Sequence, residues 1–293
     1  VLKTSSGKLR RVGTRDLYEQ GRLLQRPLAL WWQLARVALG GAQARVGRAG
    51  RRARELLFAG SAWLVLASRV PPVWAGVALL RRRSWRWSLI RTAIRLLRLF
   101  TATPLEVAGR EQVPRPGQPF VLVANHASYL DTLALIEALP LDFAYVAKRE
   151  LTQDRFSRVF LERLGTVFVE RFDLQRSAGE PEQFARALTE GRSLAFYPEG
   201  TFRDEEGLLP FRMGAFLAAA RAGVPVLPVT LTGTRSILRG ASNFPRHGRV
   251  QLTVAPLLHP EGDDWQAAVR LRDQARAVIL SQCGERDAAA EFE

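Results

Sequence analysis

A histidine and an aspartate five positions apart stand in Asn125-His126-Ala127-Ser128-Tyr129-Leu130-Asp131. A neutral imidazole held by a carboxylate can take a proton from a hydroxyl, while the carboxylate fixes the tautomer and stabilises the imidazolium that forms. This is apparatus for activating an alcohol. On one continuous helix the two side chains would diverge by about 140°, so they meet only if His126 lies outside a helix and folds back over its start. Ser128 and Asp131 also fit a helix capping box, which accounts for Asp131 without catalysis. Further candidates sit at turns: Glu199, Gly200 and Thr201 in Tyr197-Pro198-Glu199-Gly200-Thr201, Arg171 after an apolar run, and Arg203. Glu199 can accept hydrogen bonds from a polyol, hold a nearby arginine, or simply belong to a polar turn fixed by Pro198 and Gly200. Arginine forks suit phosphate oxygens, although a single surface arginine is otherwise a solvated side chain.

The elements that must position these residues are legible as alternating runs. Residues 119–124 are apolar with β-branched and aromatic side chains together, the signature of a buried strand. Residues 129–139 have helical composition, which places His126 in a strand-to-helix turn. Further strands are expected at 143–147, 166–169, 193–197, 225–232 and 250–255, with helices ending near Leu164 and spanning 182–189, 211–222 and 265–280. The alternation predicts an α/β fold, a mixed and mostly parallel sheet flanked by helices, across a domain of 106–293. Ligands of such sheets gather beyond the carboxyl ends of strands, so Glu199 and His126 should face one crevice.

The net charge of +15 resembles that of a nucleic-acid binder, but its distribution makes that class the weakest reading. Residues 1–105 hold 21 Lys and Arg against three acids, a net +18, whereas 106–293 hold 22 against 25, a net −3. Six of the seven tryptophans fall in the basic third, where arginines are interleaved with apolar runs. The single cysteine, Cys283, permits no disulfide within the chain, and no Cys/His spacing suits zinc. A reducing compartment and the absence of a structural metal follow as expectations.

Residues 56–80 are nearly all apolar, yet Arg69, Pro71 and Pro72 interrupt them. A spanning helix needs about 20 apolar residues, and a central arginine is costly in hydrocarbon. A membrane-interface helical hairpin dipping into one leaflet, broken near Pro71-Pro72, fits that pattern. After Arg81-Arg82-Arg83, a helix over 85–100 would gather Trp87, Ile90, Ala93, Ile94, Leu96, Leu97 and Phe100 on one half, with Arg91, Arg95 and Arg98 beside them. Such a helix lies in an anionic membrane surface, each basic residue contributing about 1 kcal/mol, or packs on the domain and turns its arginines to water. Residues 21–55 read as a basic tether, in which Gly40-Gly41 should break any single long helix.

Two family resemblances complete the reading. Lys3-Thr4-Ser5-Ser6-Gly7-Lys8 followed by Leu9-Arg10-Arg11 resembles the last motif of acyl-adenylating enzymes. Lys8 matches the lysine that contacts the adenylate, and Leu2 stands where that family has proline. The resemblance implies that residues 1–20 are the remnant of an adenylation domain and that an acyl-adenylating domain precedes them in the parent chain; alone they are a solvated basic arm. The His126-x4-Asp131 stretch, Gly165 to Arg171, Tyr197 to Thr201 and Val224-Pro225-Val226-Leu227-Pro228 together resemble, in order and spacing, the four motifs of the glycerolipid acyltransferases, over about residues 85–260.

The lysophosphatidate (1-acylglycerol-3-phosphate) acyltransferases are the members meant. That resemblance implies His126 as general base and Asp131 as its orienting partner, with attack on an acyl thioester, no covalent enzyme intermediate and no cofactor. It implies Arg171 on the acceptor's phosphate, Glu199, Gly200, Thr201 and Arg203 at the acceptor site, and residues 224–228 supporting the acyl pocket. The donor would be acyl-CoA or an acyl carrier protein, the acceptor a lysophospholipid. The enzyme would be peripheral on the cytoplasmic face of the inner membrane. Two departures bear on the acceptor: Tyr197 replaces phenylalanine, and Phe202 stands where the family has arginine, with Arg203 one position late. These admit another lysophospholipid or membrane alcohol. A non-catalytic membrane-tethering, acyl-binding module is the alternative.

Overall fold

The computed structural model of the chain describes residues 15, 18–19, 27–115, 117–169, 180–240 and 242–289. Seven strands among them form one sheet: β1 (Leu105–Ala108), β2 (Val121–Ala124), β3 (Ala144–Lys148), β4 (Val167–Val169), β5 (Leu194–Phe196), β6 (Val226–Thr232) and β7 (Val250–Val254). Their order is β1-β7-β6-β2-β5-β3-β4. Only β6 and β7 pair antiparallel, so β1 and β7 run against the other five. The expected mixed, mostly parallel sheet is present. Strand β1 was not foreseen, being four residues long with alternate positions exposed.

The central strand explains its own composition. Val121 and Val123 join Leu194, Phe196 and Val226 in one core, while Leu122 and Ala124 join Ala195, Leu227 and Val229 in the other. Successive side chains point to opposite faces, and a strand covered on both faces must be apolar throughout. Helices α5 (Glu180–Thr189), α6 (Gly214–Ala222) and α8 (Trp265–Cys283) fill the first face. Helices α2 (Arg83–Phe100) and α3 (Leu130–Ala138) fill the second. Helix α4 (Arg155–Leu164) leads to β4, and a short α7 (Thr234–Ile237) follows β6.

The amino-terminal third departs from expectation. Helix α1 runs unbroken from Pro27 to Leu79, through Gly40-Gly41 and through Pro71-Pro72. The hairpin break falls instead at Leu80, Arg81 and Arg82, before α2. Prolines at 71 and 72 leave the carbonyls of Ala67 and Ser68 without helical donors, and both residues are exposed, where solvent can satisfy them. The chain divides after Leu57. In the first unit, side chains from Trp31 to Leu57 are exposed apart from Gly41. By length and composition, Trp31–Leu79 is long and apolar enough to cross a membrane. The stretch 3–11 lies outside the described residues.

Of the two arrangements expected for helix α2, lipid surface or packing on the domain, Trp87, Ile90 and Ile94 take the second, buried against the sheet, but the arginines do not all turn to water. Arg91 donates to the carbonyl of Leu141 (2.6 Å) and pairs with Asp142, and Arg98 pairs with Glu137 at 2.8 Å. The apolar residues left exposed are Trp85, Leu96, Leu99 and Phe100. Beyond α8 the chain returns to the loop at 205–209: Leu208 N–H donates to Arg286 O, Ala288 N–H to Leu208 O, and Gly207 N–H to Glu285. Arg235 forks onto Glu285 at 2.8 and 2.9 Å and also donates to the carbonyls of Arg203 and Glu205.

Candidate active site

Strand β2 ends at Ala124, and the next residue secures the turn. Asn125 is buried, its Nδ2 donating to Leu231 O (2.8 Å) and its Oδ1 accepting from Leu231 N–H (2.7 Å). The side chain thus continues the β2–β6 pairing while the backbone leaves the sheet. Asn125→Ala would strand two buried backbone groups, each worth about 1–3 kcal/mol; urea unfolding should show the loss, and an unchanged midpoint would refute this role.

His126 therefore lies outside α3 and folds back over its first turn. Its Nδ1 is 2.9 Å from Asp131 Oδ2, with Asp131 fully buried and the imidazole 15% exposed. The same Oδ2 accepts from Ala127 N–H (2.7 Å) and Ser128 N–H (2.8 Å). Ser128 Oγ accepts from Leu130 N–H and donates to Leu238 O. One carboxylate oxygen of Asp131 thus both closes the helix start and receives the imidazole. Because that oxygen already accepts from two N–H groups, it can meet Nδ1 only as a further acceptor, with Nδ1 as the donor.

Aromatic rings fix the imidazole plane. Tyr197 stacks on His126 with centroids 3.9 Å apart, Phe202 meets it edge-on at 4.5 Å, and Tyr129 meets Phe202 at 4.8 Å. Both positions where the chain departs from the family pattern, 197 and 202, touch the His126 ring. Behind them Tyr197 and Tyr145 bond Thr132 through its hydroxyl and its carbonyl. Burial, with the Asp131 charge adding to it, pushes both phenols well above their ordinary range, so they stay neutral.

Glu199 reaches the site in a way not foreseen. Its Oε1 accepts from His126 N–H (2.7 Å) and its Oε2 from Leu209 N–H (2.9 Å), with the residue 5% exposed. Burial pushes its carboxyl up to about 7, against the two backbone donors, which pull it down. It clamps the backbone of His126 to the 205–209 loop. Gly200 follows with φ +71, and a Cβ there would stand 2.7 Å from Arg212 Nε. Thr201 and Arg203 are exposed on the same loop. Arg171 lies outside the described residues. Residues 224–228 lead into the buried β6; they line no part of the cavity described next.

That cavity, of about 130 Å³, is apolar and lies beside the first turn of α3. Phe58, Trp63, Leu97, Leu130, Leu133 and Leu238 are among its walls. Among the described residues, no three His, Cys, Asp or Glu side chains converge as metal ligands would.

A carboxylate-held imidazole thus stands at the carboxyl end of a central strand of an α/β sheet. Residues 104–232 match the family model described as Acyltransferase. The chain is 34% identical over 176 residues to a 1-acyl-sn-glycerol-3-phosphate acyltransferase of Chlamydomonas reinhardtii, covering 60% of this chain and 52% of that one. It is 31% identical over 179 residues to the alpha enzyme of that name from Mus musculus, 60% of this chain and 62% of that one. Against the beta enzyme of Homo sapiens it is 31% identical over 218 residues, 72% and 77% of the two chains. The chain belongs to the glycerolipid acyltransferase family. It spans about half to three-fifths of the length of the first two of these relatives. The crystal structure of the 1-acyl-sn-glycerophosphate (LPA) acyltransferase PlsC from Thermotoga maritima shares the fold, with TM-score 0.65 and 23% identity over 78% of this chain and 94% of that one.

Proposed function

We propose that this chain moves a fatty acyl group from an acyl thioester to the hydroxyl of a lysophospholipid-like acceptor at a membrane surface. The observation that carries this reading is the 2.9 Å contact between His126 Nδ1 and an Asp131 oxygen pinned by two backbone N–H groups. His126 Nε2 takes the acceptor's hydroxyl proton as its oxygen attacks the thioester carbonyl. Asp131 stabilises the imidazolium. The tetrahedral intermediate then expels the thiolate, which receives the proton from His126, leaving an ester and a free thiol. The acyl chain occupies the apolar cavity beside Leu130. Arg171, Thr201 and Arg203 serve the acceptor's polar head, whereas Glu199 serves as the clamp under His126.

The membrane reading is supported by exposed Trp85, Leu96, Leu99 and Phe100 on α2 and Trp63 and Leu64 on α1, beside exposed Arg81, Arg82 and Arg95. The cytoplasmic face is the side on which acyl-CoA and acyl carrier protein are met. The resemblance of the 3–11 stretch to an acyl-adenylating motif supports an acyl carrier protein as a donor alongside acyl-CoA.

The test offers labelled acyl-CoA, and separately labelled acyl carrier protein, to vesicles doped with lysophosphatidate or other lysolipids. His126→Ala serves as the blank. A labelled phospholipid should form and fall by roughly 10²–10⁴-fold in the variant. Turnover retained in the variant would remove His126 as the base. No product from folded, vesicle-bound wild type would leave the tethering module as the better account.

A further inference from the structure

The edge of the sheet opposite His126 carries a second cluster of charge. His126 follows the carboxyl end of β2, whereas Gly165 and Arg192 precede the amino ends of β4 and β5, which run parallel to β2 through the sheet. At Gly165 two guanidiniums converge. Arg192 Nη2 donates to Gly165 O at 2.7 Å. The Arg83 guanidinium lies over Gly165, with Cζ and Nη1 at 3.4 Å and Nη2 at 3.5 Å from the point a Cβ would occupy. A third, Arg86, is 9% exposed and spends its donors on the carbonyls of Leu80 (2.8 Å), Arg163 (2.6 Å) and Arg81 (3.1 Å).

Helix chemistry explains part of this cluster. Carbonyls at the end of α4 attract cations, which accounts for Arg86 on Arg163 O and for Arg192 on Gly165 O. It does not account for Arg83. Its Nε is buried and has no hydrogen-bond partner, and its guanidinium forms no ion pair among the described residues. The carboxylate nearby, Asp142, is engaged by Arg91 at 3.1 Å. Burial, then Arg192 and Arg86, draw the Arg83 pKa below its ordinary value, with Asp142 acting the other way. Half-buried like charges without an anion between them are unfavourable, and forked guanidiniums match the oxygens of a phosphate.

We propose that Arg83 and Arg192, over Gly165, form a binding site for a phosphate-type anion at the edge of the sheet opposite His126. Its two sources share that chemistry: free phosphate or a phosphomonoester in solution, and the headgroup of an anionic lipid approached by the α1–α2 turn.

The experiment follows thermal unfolding of the full chain against inorganic phosphate, with sodium chloride at matched ionic strength as reference. Wild type should show saturable stabilisation by phosphate. Arg83→Gln and Arg192→Gln should each raise the half-saturating concentration by roughly tenfold or more, the loss of one charge-assisted contact. In chloride alone Arg83→Gln should be at least as stable as wild type, because it relieves repulsion; an arginine that only supports the fold would destabilise in both buffers. Arg83→Lys, which keeps the charge and loses the fork, should weaken phosphate stabilisation if Arg83→Gln does not fold. Flotation with phosphatidylcholine vesicles, with and without phosphatidate, separates the sources: binding lost in both arginine variants assigns the lipid headgroup, and binding retained assigns the soluble anion. Phosphate stabilisation equal in wild type and variants, or none beyond the chloride reference, would overturn the site.

Discussion

Asp131→Asn is expected to slow acyl transfer by about 10³-fold while leaving His126 in its productive tautomer. The backbone N–H groups of Ala127 and Ser128 both point at Oδ2, so the amide carbonyl of asparagine must take that place. It can still accept from His126 Nδ1. The amide NH2 then falls at the Oδ1 position, which is buried without a partner among the described residues. What is lost is charge. An imidazolium and a carboxylate at about 4 Å in an effective dielectric of about 20 attract by about 4 kcal/mol, or about 10³ in rate. Where asparagine instead reverses the tautomer of such a pair, the loss is about 10⁴. Rates measured beside the ¹⁵N shifts of His126 decide the matter: a proton on Nε2 would refute the anchoring argument, and a rate within tenfold of wild type would remove Asp131 from the chemistry.

The second large effect concerns Glu199 and is read in stability. Glu199→Ala would leave the N–H groups of His126 and Leu209 buried without acceptors, each worth about 1–3 kcal/mol, a large fraction of a typical total of about 5–15 kcal/mol. The intact residue also imposes a pH dependence of definite sign. Its carboxyl lies at about 7 in the fold, against about 4.3 in an unfolded chain. The unfolded state therefore releases this proton first. The contribution to stability is fully present below about 4.3 and is lost as pH rises through about 7. Glu199→Gln, which cannot ionise, should flatten that decline in urea midpoints between pH 5 and 8. An equal slope in both proteins would mean that Glu199 does not titrate there.

Much of the domain was legible because its signals are local. The unbroken apolar run before Asn125 is what a strand covered on both faces requires, and the five-residue spacing of His126 and Asp131 has one geometric solution. The clamp of Glu199 and the side-chain pairing of Asn125 left no such mark, since each ends on the backbone of a residue distant in sequence. Periodicity found α2 but not its inward face: Trp87, Ile90 and Ile94 suit a sheet as well as a lipid surface, and only the carbonyls at the end of α3 show where Arg91 goes. Gly40-Gly41 and Pro71-Pro72 lower helix propensity, yet α1 continues through both pairs.

The loop that supplies Leu209 N–H to Glu199 is itself tied down by the returning tail, through Leu208, Gly207 and the Arg235–Glu285 fork. Residues 285–288 thus brace, at one remove, the backbone amide of His126. A substitution that disturbs those contacts would be registered as a kinetic defect by an assay that sees only turnover, so a lost rate at residues 285–288 does not by itself place them at the site.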